Sequence, residues 1–427
     1  MSTFSMAFIF EGSQRVITID GEGDVFNNAV FNLLTTFAEN VDYGNHKIDF
    51  SLYKQNTDVF IGEVEKLSNL YKAEVPKIQQ LPAFFKQQQS GEWFYIALNH
   101  FPSQDELIKI GASIECLNGG KPYEQSMAEI NSFFSGVNES YRIYTYLGNT
   151  RKHFYGEQDR TKRICRYCHR SEAQGAKFTQ EAHAISDTLG NKVLYSYDEC
   201  DECNDYLGSH CEQDFAEFLR FQRCYFGVKG REGVPVVKGR NFEMSHPEGQ
   251  PIKLDYHHDG DDIPHDITNL ILKYDIVYNP QNLYRALVKY FLGLVPSEYV
   301  SHFFNTGTWV KGFDESCNAV SIKKLPTIKR LSVPQPVDRP QLIIYIRKND
   351  DKSLPFAIGE FHIFTYIFTY IIPLSDADDR DFCTEEDFNR FWNHFKHYKV
   401  MQNWLSINIS IDEKTTTQVR INLPGPG

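Results

Sequence analysis

Cys165-Arg-Tyr-Cys168 and Cys200-Asp-Glu-Cys203 bracket the stretch Phe178-Thr-Gln-Glu-Ala-His183-Ala-Ile-Ser-Asp-Thr-Leu-Gly-Asn-Lys192, and Asn204 follows the last cysteine directly. Two CxxC knuckles a few tens of residues apart supply four thiolates, the number that a closed tetrahedral zinc site requires. A redox reading wants one CxxC at a helix start in a thioredoxin-like context, and two such pairs fit that poorly. The spacing therefore predicts a structural Zn²⁺ on Cys165, Cys168, Cys200 and Cys203. His183 would lie on a hairpin between the knuckles, and Asn204 would start the helix after the second.

At 427 residues the chain is too long for one ordinary core. Its composition is globular, with aromatic content raised by 33 Phe and 24 Tyr. A net charge of −12 argues against nonspecific nucleic-acid binding by the chain as a whole. The charge is unevenly placed, however. Arg151, Lys152, Arg160, Lys162, Arg163, Arg166 and Arg170 face only Glu157 and Asp159 in one run. Arg220, Arg223, Lys229, Arg231, Lys238 and Arg240 face only Glu232 in a second. Both flank the cysteine segment, where a phosphate backbone would dock. The remaining five of nine cysteines are scattered singly, which is no secreted disulfide framework and fits a reducing cytoplasm. Met1 to Phe10 reads as no signal peptide. The apolar run Phe356 to Pro373 is interrupted by Glu360 and His362 and reads as buried strand, so no membrane span is expected.

The segment between the knuckles resembles the HNH endonuclease family with a treble-clef zinc site. His183-Ala-Ile-Ser186 with Leu189-Gly-Asn-Lys192 is similar to that family's AHxIPxxLGNK form, and Glu199-Cys-Asp-Glu-Cys-Asn204 with Tyr206-Leu-Gly208 to its ECDxCNxxxG segment. The resemblance spans about 75 residues, from Arg163 to roughly Gly239, with Phe215 to Phe221 continuing the helix. It implies a DNA endonuclease in which His183 is the general base and Asn204 a ligand of a catalytic Mg²⁺ or Mn²⁺, leaving 5′-phosphate and 3′-hydroxyl ends. Imidazole suits the first role because its pKa lies near neutrality, and a divalent ion suits the second because charge builds on the leaving oxygen. In the family's phage junction-resolving members an Asp or His ligand precedes the base. Here that position is Ala182, and Glu181, which would share a strand face with His183, is the nearest replacement. Asp198, Asp201, Asp205, His210 and Glu212 are further oxygen or nitrogen donors, read as the solvated face of the helix.

The expected fold class is α+β multidomain. A mixed α/β domain (1–150) of unwritten role would come first, then the treble-clef ββα-metal HNH module (151–239), then a β-rich α+β domain (240–427) with a sensing or targeting role. Strands are expected over Phe8 to Phe10 with Val16 to Ile19, Lys47 to Tyr53, Trp93 to Leu98, Tyr141 to Leu147, Leu342 to Ile346, Phe361 to Ile372, Leu405 to Ile411 and Thr417 to Leu423. Helices are expected over Val25 to Phe37, Ser126 to Phe134, Asn282 to Leu292 and Thr384 to His397. The proline-rich Val333 to Pro340 reads as a loop or spacer. Tyr256-His-His-Asp-Gly-Asp-Asp262 with His265 matches no ligand template and reads as a turn. Candidate partners are DNA, an activating ligand or partner protein that gates cutting, and a second copy of the chain; a bacterial anti-phage role fits that architecture. The alternative is a noncatalytic zinc-binding module that contacts DNA or a protein.

Overall fold

The computed structural model describes residues 2–424 apart from 43, 46, 100, 101, 103, 148–150, 231, 258–268, 313–323, 408 and 410. The Tyr256 to His265 cluster therefore lies almost wholly outside the described residues, as does Arg231. The described part is mixed α and β with several sheets, and it divides into two compact units, Met1–Ser135 and Gly136–Gly427.

In the first unit, strands β1 (Ser2–Ile9) and β2 (Gln14–Gly21) form the expected hairpin. Helix α1 (Gly23–Phe37) follows, then three short strands, β3 (Asn40–Asp42), β4 (Lys47–Asp49) and β5 (Tyr53–Gln55). The continuous strand expected over Lys47 to Tyr53 is thus broken in two. Helices α2 (Asp58–Tyr71) and α3 (Gln80–Lys86), strand β6 (Trp93–Leu98), and helices α4 (Gln104–Leu117) and α5 (Tyr123–Ser140) complete it. The sheet order is β2-β1-β6-β5, every pair antiparallel. Alternation along β1 sends Met6 and Phe8 into a core with Leu33, Phe37, Phe60 and Phe85, and sends Ile9 to the opposite face against Ile110 and Ile114 of α4. A strand covered on both faces reads as a continuous apolar run, which is why Met6 to Phe10 contains no polar residue.

The second unit begins with β7 (Tyr141–Tyr146), which leaves the first 150 residues to pair with a strand two hundred positions on. Then come β8 (His153–Tyr155), β9 (Ala182–His183) and β10 (Leu194–Ser196), and helices α6 (Asp201–Ser209), α7 (Cys211–Phe218) and α8 (Arg220–Tyr225). The single helix expected through Phe221 is therefore three, with breaks at His210 and Leu219. Strands β11 (Val237–Lys238), β12 (Phe242–Ser245), β13 (Lys253–Tyr256) and β14 (Asn269–Tyr278) lead to α9 (Pro280–Leu294) and α10 (Phe304–Lys311). Long strands β15 (Ile328–Arg347) and β16 (Ala357–Ile371), helices α11 (Glu385–His394) and α12 (Lys396–Val400), and strands β17 (Leu405–Ile407) and β18 (Thr415–Pro424) close the chain. The proline-rich segment read as a loop is part of β15. Its prolines coincide with two register shifts against β16, between Ser332 and Val337 and between Val337 and Gln341, which is where a ladder can spare an N–H.

Helix α9 is the centre of this unit. Asn279 caps it, accepting from the Gln281 and Asn282 amides, and Pro280 occupies the first turn where no donor is needed. From Leu283 onward every residue except Arg285 is buried, so the helix is covered all round. One side meets the sheet: the Tyr284 hydroxyl donates to the Ile371 carbonyl, and Tyr370 Oη donates to the Leu287 carbonyl at 2.8 Å. The other side meets the cysteine segment. Cys165, Cys200, Phe215, Leu287, Phe291, Ile344 and Phe361 consequently belong to one apolar cluster.

Glu360 and His362, which interrupt the apolar run of β16, form a buried pair. Glu360 accepts from Tyr398 Oη at 2.6 Å and Tyr345 Oη at 3.2 Å, with His362 Nε2 at 2.6 Å from its other oxygen. Burial alone would raise this carboxyl, but His362 and the Tyr398 hydrogen bond hold it down to about 2. Because the folded value is depressed, the carboxylate contributes stability above its ordinary value near 4.5 and loses it as pH falls toward 2. Urea unfolding of wild type and Glu360→Gln at a series of pH values checks this. The wild-type advantage should be constant above pH ~5 and shrink by up to about 3 kcal/mol as acid approaches pH ~2.

Candidate metal and hydrolytic site

The two knuckles form as the spacing predicts. The first is a tight turn in which the Cys165 amide donates to the Arg170 carbonyl at 3.1 Å and the His169 amide donates back to Cys165 at 2.9 Å, with His169 in the left-handed region. In the second, Cys200 caps α6 and Cys203 lies in its first turn. All four Sγ atoms fall within 4.8 Å of one another, and Cys168 and Cys200 are 3.6 Å apart. A tetrahedral Zn–S₄ centre has sulfur edges of roughly 3.8 Å, so this donor set fits a metal such as zinc. Burial and the Cys168 and Cys200 sulfurs push the Cys165 thiol up, so binding a dication must release protons.

The knuckle is fastened to the rest of the unit through the residues between its cysteines. Arg166 is buried, holds Asp198 Oδ2 through Nε and Nη2 at 3.1 and 3.0 Å, and donates from Nη1 to the carbonyls of Leu292 and Val295 at the end of α9. Tyr167 Oη donates to the Lys289 carbonyl at 3.1 Å. On the far side Gly307 of α10 packs so closely that a Cβ there would meet the Arg166 carbonyl oxygen at 2.0 Å. Asp198, offered by sequence as an ion ligand on a solvated face, is thus spent inside the protein.

His183 lies in β9, which pairs antiparallel with β10, Tyr195 opposite His183 and Ser196 opposite Ala182. β10 pairs in parallel with β8, Tyr195 opposite Phe154. Side chains alternate across a sheet, so Ala182, Ala184, Leu194 and Ser196 turn into the buried side, while His183, Tyr195, Tyr197 and Phe154 share the other. Phe154 is stacked between Tyr195 at 5.0 Å and Tyr197 at 4.9 Å, and His183 lies 4.5 Å from Tyr195. Cations close both ends of this row, Lys152 Nζ over Tyr195 at 4.8 Å and Arg163 over Tyr197 at 4.3 Å. Burial pushes the His183 imidazole pKa below its ordinary value; Asp187 opposes this, and Lys289, Lys192 and Lys152 add to it.

The first turn of α6 grips the strand that leads to His183. Asp201 accepts from the Thr179 and Gln180 amides at 2.8 and 3.0 Å, and Asn204 Nδ2 donates to Gln180 Oε1 at 2.7 Å. Burial would raise the Asp201 carboxyl, but these donors hold it below its usual range. Asn204 is the fourth residue of α6 rather than its start. Glu181 is exposed, outside the two-residue strand β9, and 2.5 Å from Lys152 Nζ. Among the described residues the four cysteines are the one cluster of three or more His, Cys, Asp or Glu donors. The remaining donors offered by sequence are occupied or dispersed: Glu212 is buried against Lys289, and His210 stacks on Tyr206 at 4.0 Å. The described residues show no assembled catalytic-ion site: Glu181 is engaged by Lys152, while Asn204 bonds Gln180 through its Nδ2 and keeps its amide oxygen for a cation.

The basic runs are also largely spent. Arg160, Lys162 and Arg170 pair with Glu172, Asp159 and Glu202, and Arg220, Lys229, Lys238 and Arg240 with Glu217, Glu248, Glu243 and Asp275. Arg166 and Arg223 are buried. Exposed pairs of this kind are worth about 0–1 kcal/mol each, so a phosphate can exchange with them.

Sequence reasoning missed Lys289. Its ammonium is buried to 1% and lies 2.6 Å from the His183 carbonyl oxygen, 3.2 Å from Glu199 Oε2 and 3.2 Å from Glu212 Oε1. The signal was available, a lone lysine in Leu287-Val-Lys-Tyr-Phe-Leu292, where an apolar helix has no reason to carry a charge without a partner. Purified full-length protein should carry about one zinc per chain. Cys200→Ser should take that well below half and lower the melting temperature, as should a strong chelator on wild type; metal analysis with calorimetry checks both. No family model, curated protein or solved structure matches the chain, so its reading rests on the geometry of this site.

Proposed function

We propose that the chain is an HNH-type endonuclease that hydrolyses DNA phosphodiester bonds, with His183 as general base. The observation that carries this is a half-buried histidine on the outer face of a strand-strand-helix unit, β9, β10 and α6, whose helix begins at a four-cysteine centre. The cysteines would hold a structural Zn²⁺ and give the unit a treble-clef form. His183 would take a proton from the attacking water, while Lys152 and Arg163 at the ends of the ring row would hold phosphate oxygens. Asn204 and Glu181 are the residues that would hold a catalytic Mg²⁺ or Mn²⁺, the second only when Lys152 turns to a phosphate. Burial of the module against α9 and the sheet supports control of cutting by the rest of the chain, in keeping with an anti-phage role.

A second reading is a noncatalytic zinc module that contacts DNA or protein. The pairing of Glu181 with Lys152 favours it. Cleavage of supercoiled plasmid in Mg²⁺ or Mn²⁺ separates the two. Wild type should nick or linearise the plasmid and His183→Ala should fall by about 10²-fold or more. Intact plasmid with both proteins under each metal rejects the nuclease, and equal cutting by both rejects His183 as base.

A further inference from the structure

We propose that Lys289 is the positioning residue of the His183 site, its ammonium fixing strand β9 through the His183 carbonyl. The proposal rests on the reading of His183 as the base. β9 is the edge of the sheet β8-β10-β9, so a backbone carbonyl on its outer edge has no strand to pair with. Buried away from water, such a group needs a donor. Lys289 supplies it at 2.6 Å from a distance of 106 residues in sequence.

The ammonium donates to the His183 carbonyl and is ion-paired at 3.2 Å with both Glu199 Oε2 and Glu212 Oε1. Glu199 directly precedes the second knuckle and Glu212 opens α7, so one buried charge joins β9, the cysteine centre and the helix behind it. Its own carrier cannot drift, because α9 is held at Ile371, at Tyr370 and at Tyr167. One turn further along, Gly293 lies against Ala184, where a Cβ would stand 3.2 Å from the Ala184 Cα, Cβ and carbonyl oxygen. The residue after His183 is therefore set by contact with α9 and His183 itself by the ammonium. One carboxylate would neutralise a lysine whose task was only to fill the core. The hydrogen bond to the backbone of the candidate base gives the position of the imidazole to α9.

The test uses full-length, zinc-loaded protein and plasmid-cleavage kinetics. Lys289→Met combined with Glu199→Gln and Glu212→Gln removes the charges together and keeps the volume, so no carboxylate is left buried alone. We expect kcat to fall by about 10–100-fold with KM within about twofold, because a catalytic group is misplaced while the surface that binds DNA is untouched. Gly293→Ala perturbs the same strand without altering any charge and should give the same split at unchanged zinc content. It also decides the matter where the triple variant does not fold. A folded triple variant, or Gly293→Ala, with wild-type kcat overturns the proposal. His183→Ala cutting as fast as wild type fails the base reading itself and the proposal with it, which keeps the two failures distinct.

Discussion

An ammonium group with almost no exposure, in the apolar second half of a covered helix, is the constraint on which the second unit depends. Removing a charge from water costs several kcal/mol unless partners replace the hydration. The partners here are two carboxylates and a backbone carbonyl drawn from three separate segments. Their arrival at one point fixes the order of packing: the sheet holds one side of α9, and α9 holds the strand-strand-helix unit on the other. Arg166 repeats the pattern one turn away, its guanidinium satisfied by Asp198 and by the carbonyls that end the same helix. The cysteine centre is thus gripped from within its own knuckle as well as by its sulfurs.

This arrangement makes the module and the C-terminal elements one packed body. The division of charge follows from it. Cations that a linear reading places beside the cysteines are consumed, some as internal cross-links such as Arg166 and Arg223, others as exposed pairs. Two more sit on the outer sheet face, Lys152 paired with Glu181 and Arg163 bonded to the Glu157 and Gln158 carbonyls. There they close the two ends of the ring row formed by Tyr195, Phe154 and Tyr197.

Much of this was legible where the physics is local. The CxxC spacing gave the four-sulfur cluster, and apolar patterning gave the end of β1, the middle of β2, β6 and the interior of β16. Thr384 accepts from the Asp387 amide and caps α11, which is shorter than the helix expected over Thr384 to His397. The hairpin that carries His183 was likewise readable. What failed depended on partners far along the chain. Asp198 and Glu212 have the composition of a solvated face, and only Arg166 and Lys289, supplied by other segments, explain their burial. The prolines of β15 read as a break because a lone strand tolerates them badly; they survive at irregular points of a ladder whose other half begins at Ala357. Glu181 was an open ligand on paper because nothing near it in sequence shows that Lys152 crosses to meet it.

The grip of Arg166 on the Leu292 carbonyl spans 126 residues of chain. A polypeptide emerging from the ribosome in order exposes both knuckles long before α9 exists. During that interval the cysteines can collect a metal, yet the guanidinium lacks its carbonyls and β9 has no fixed edge. The packing around His183 is therefore completed only after synthesis has passed well beyond the segment that encodes it, so the order of translation sets when that part of the fold is built.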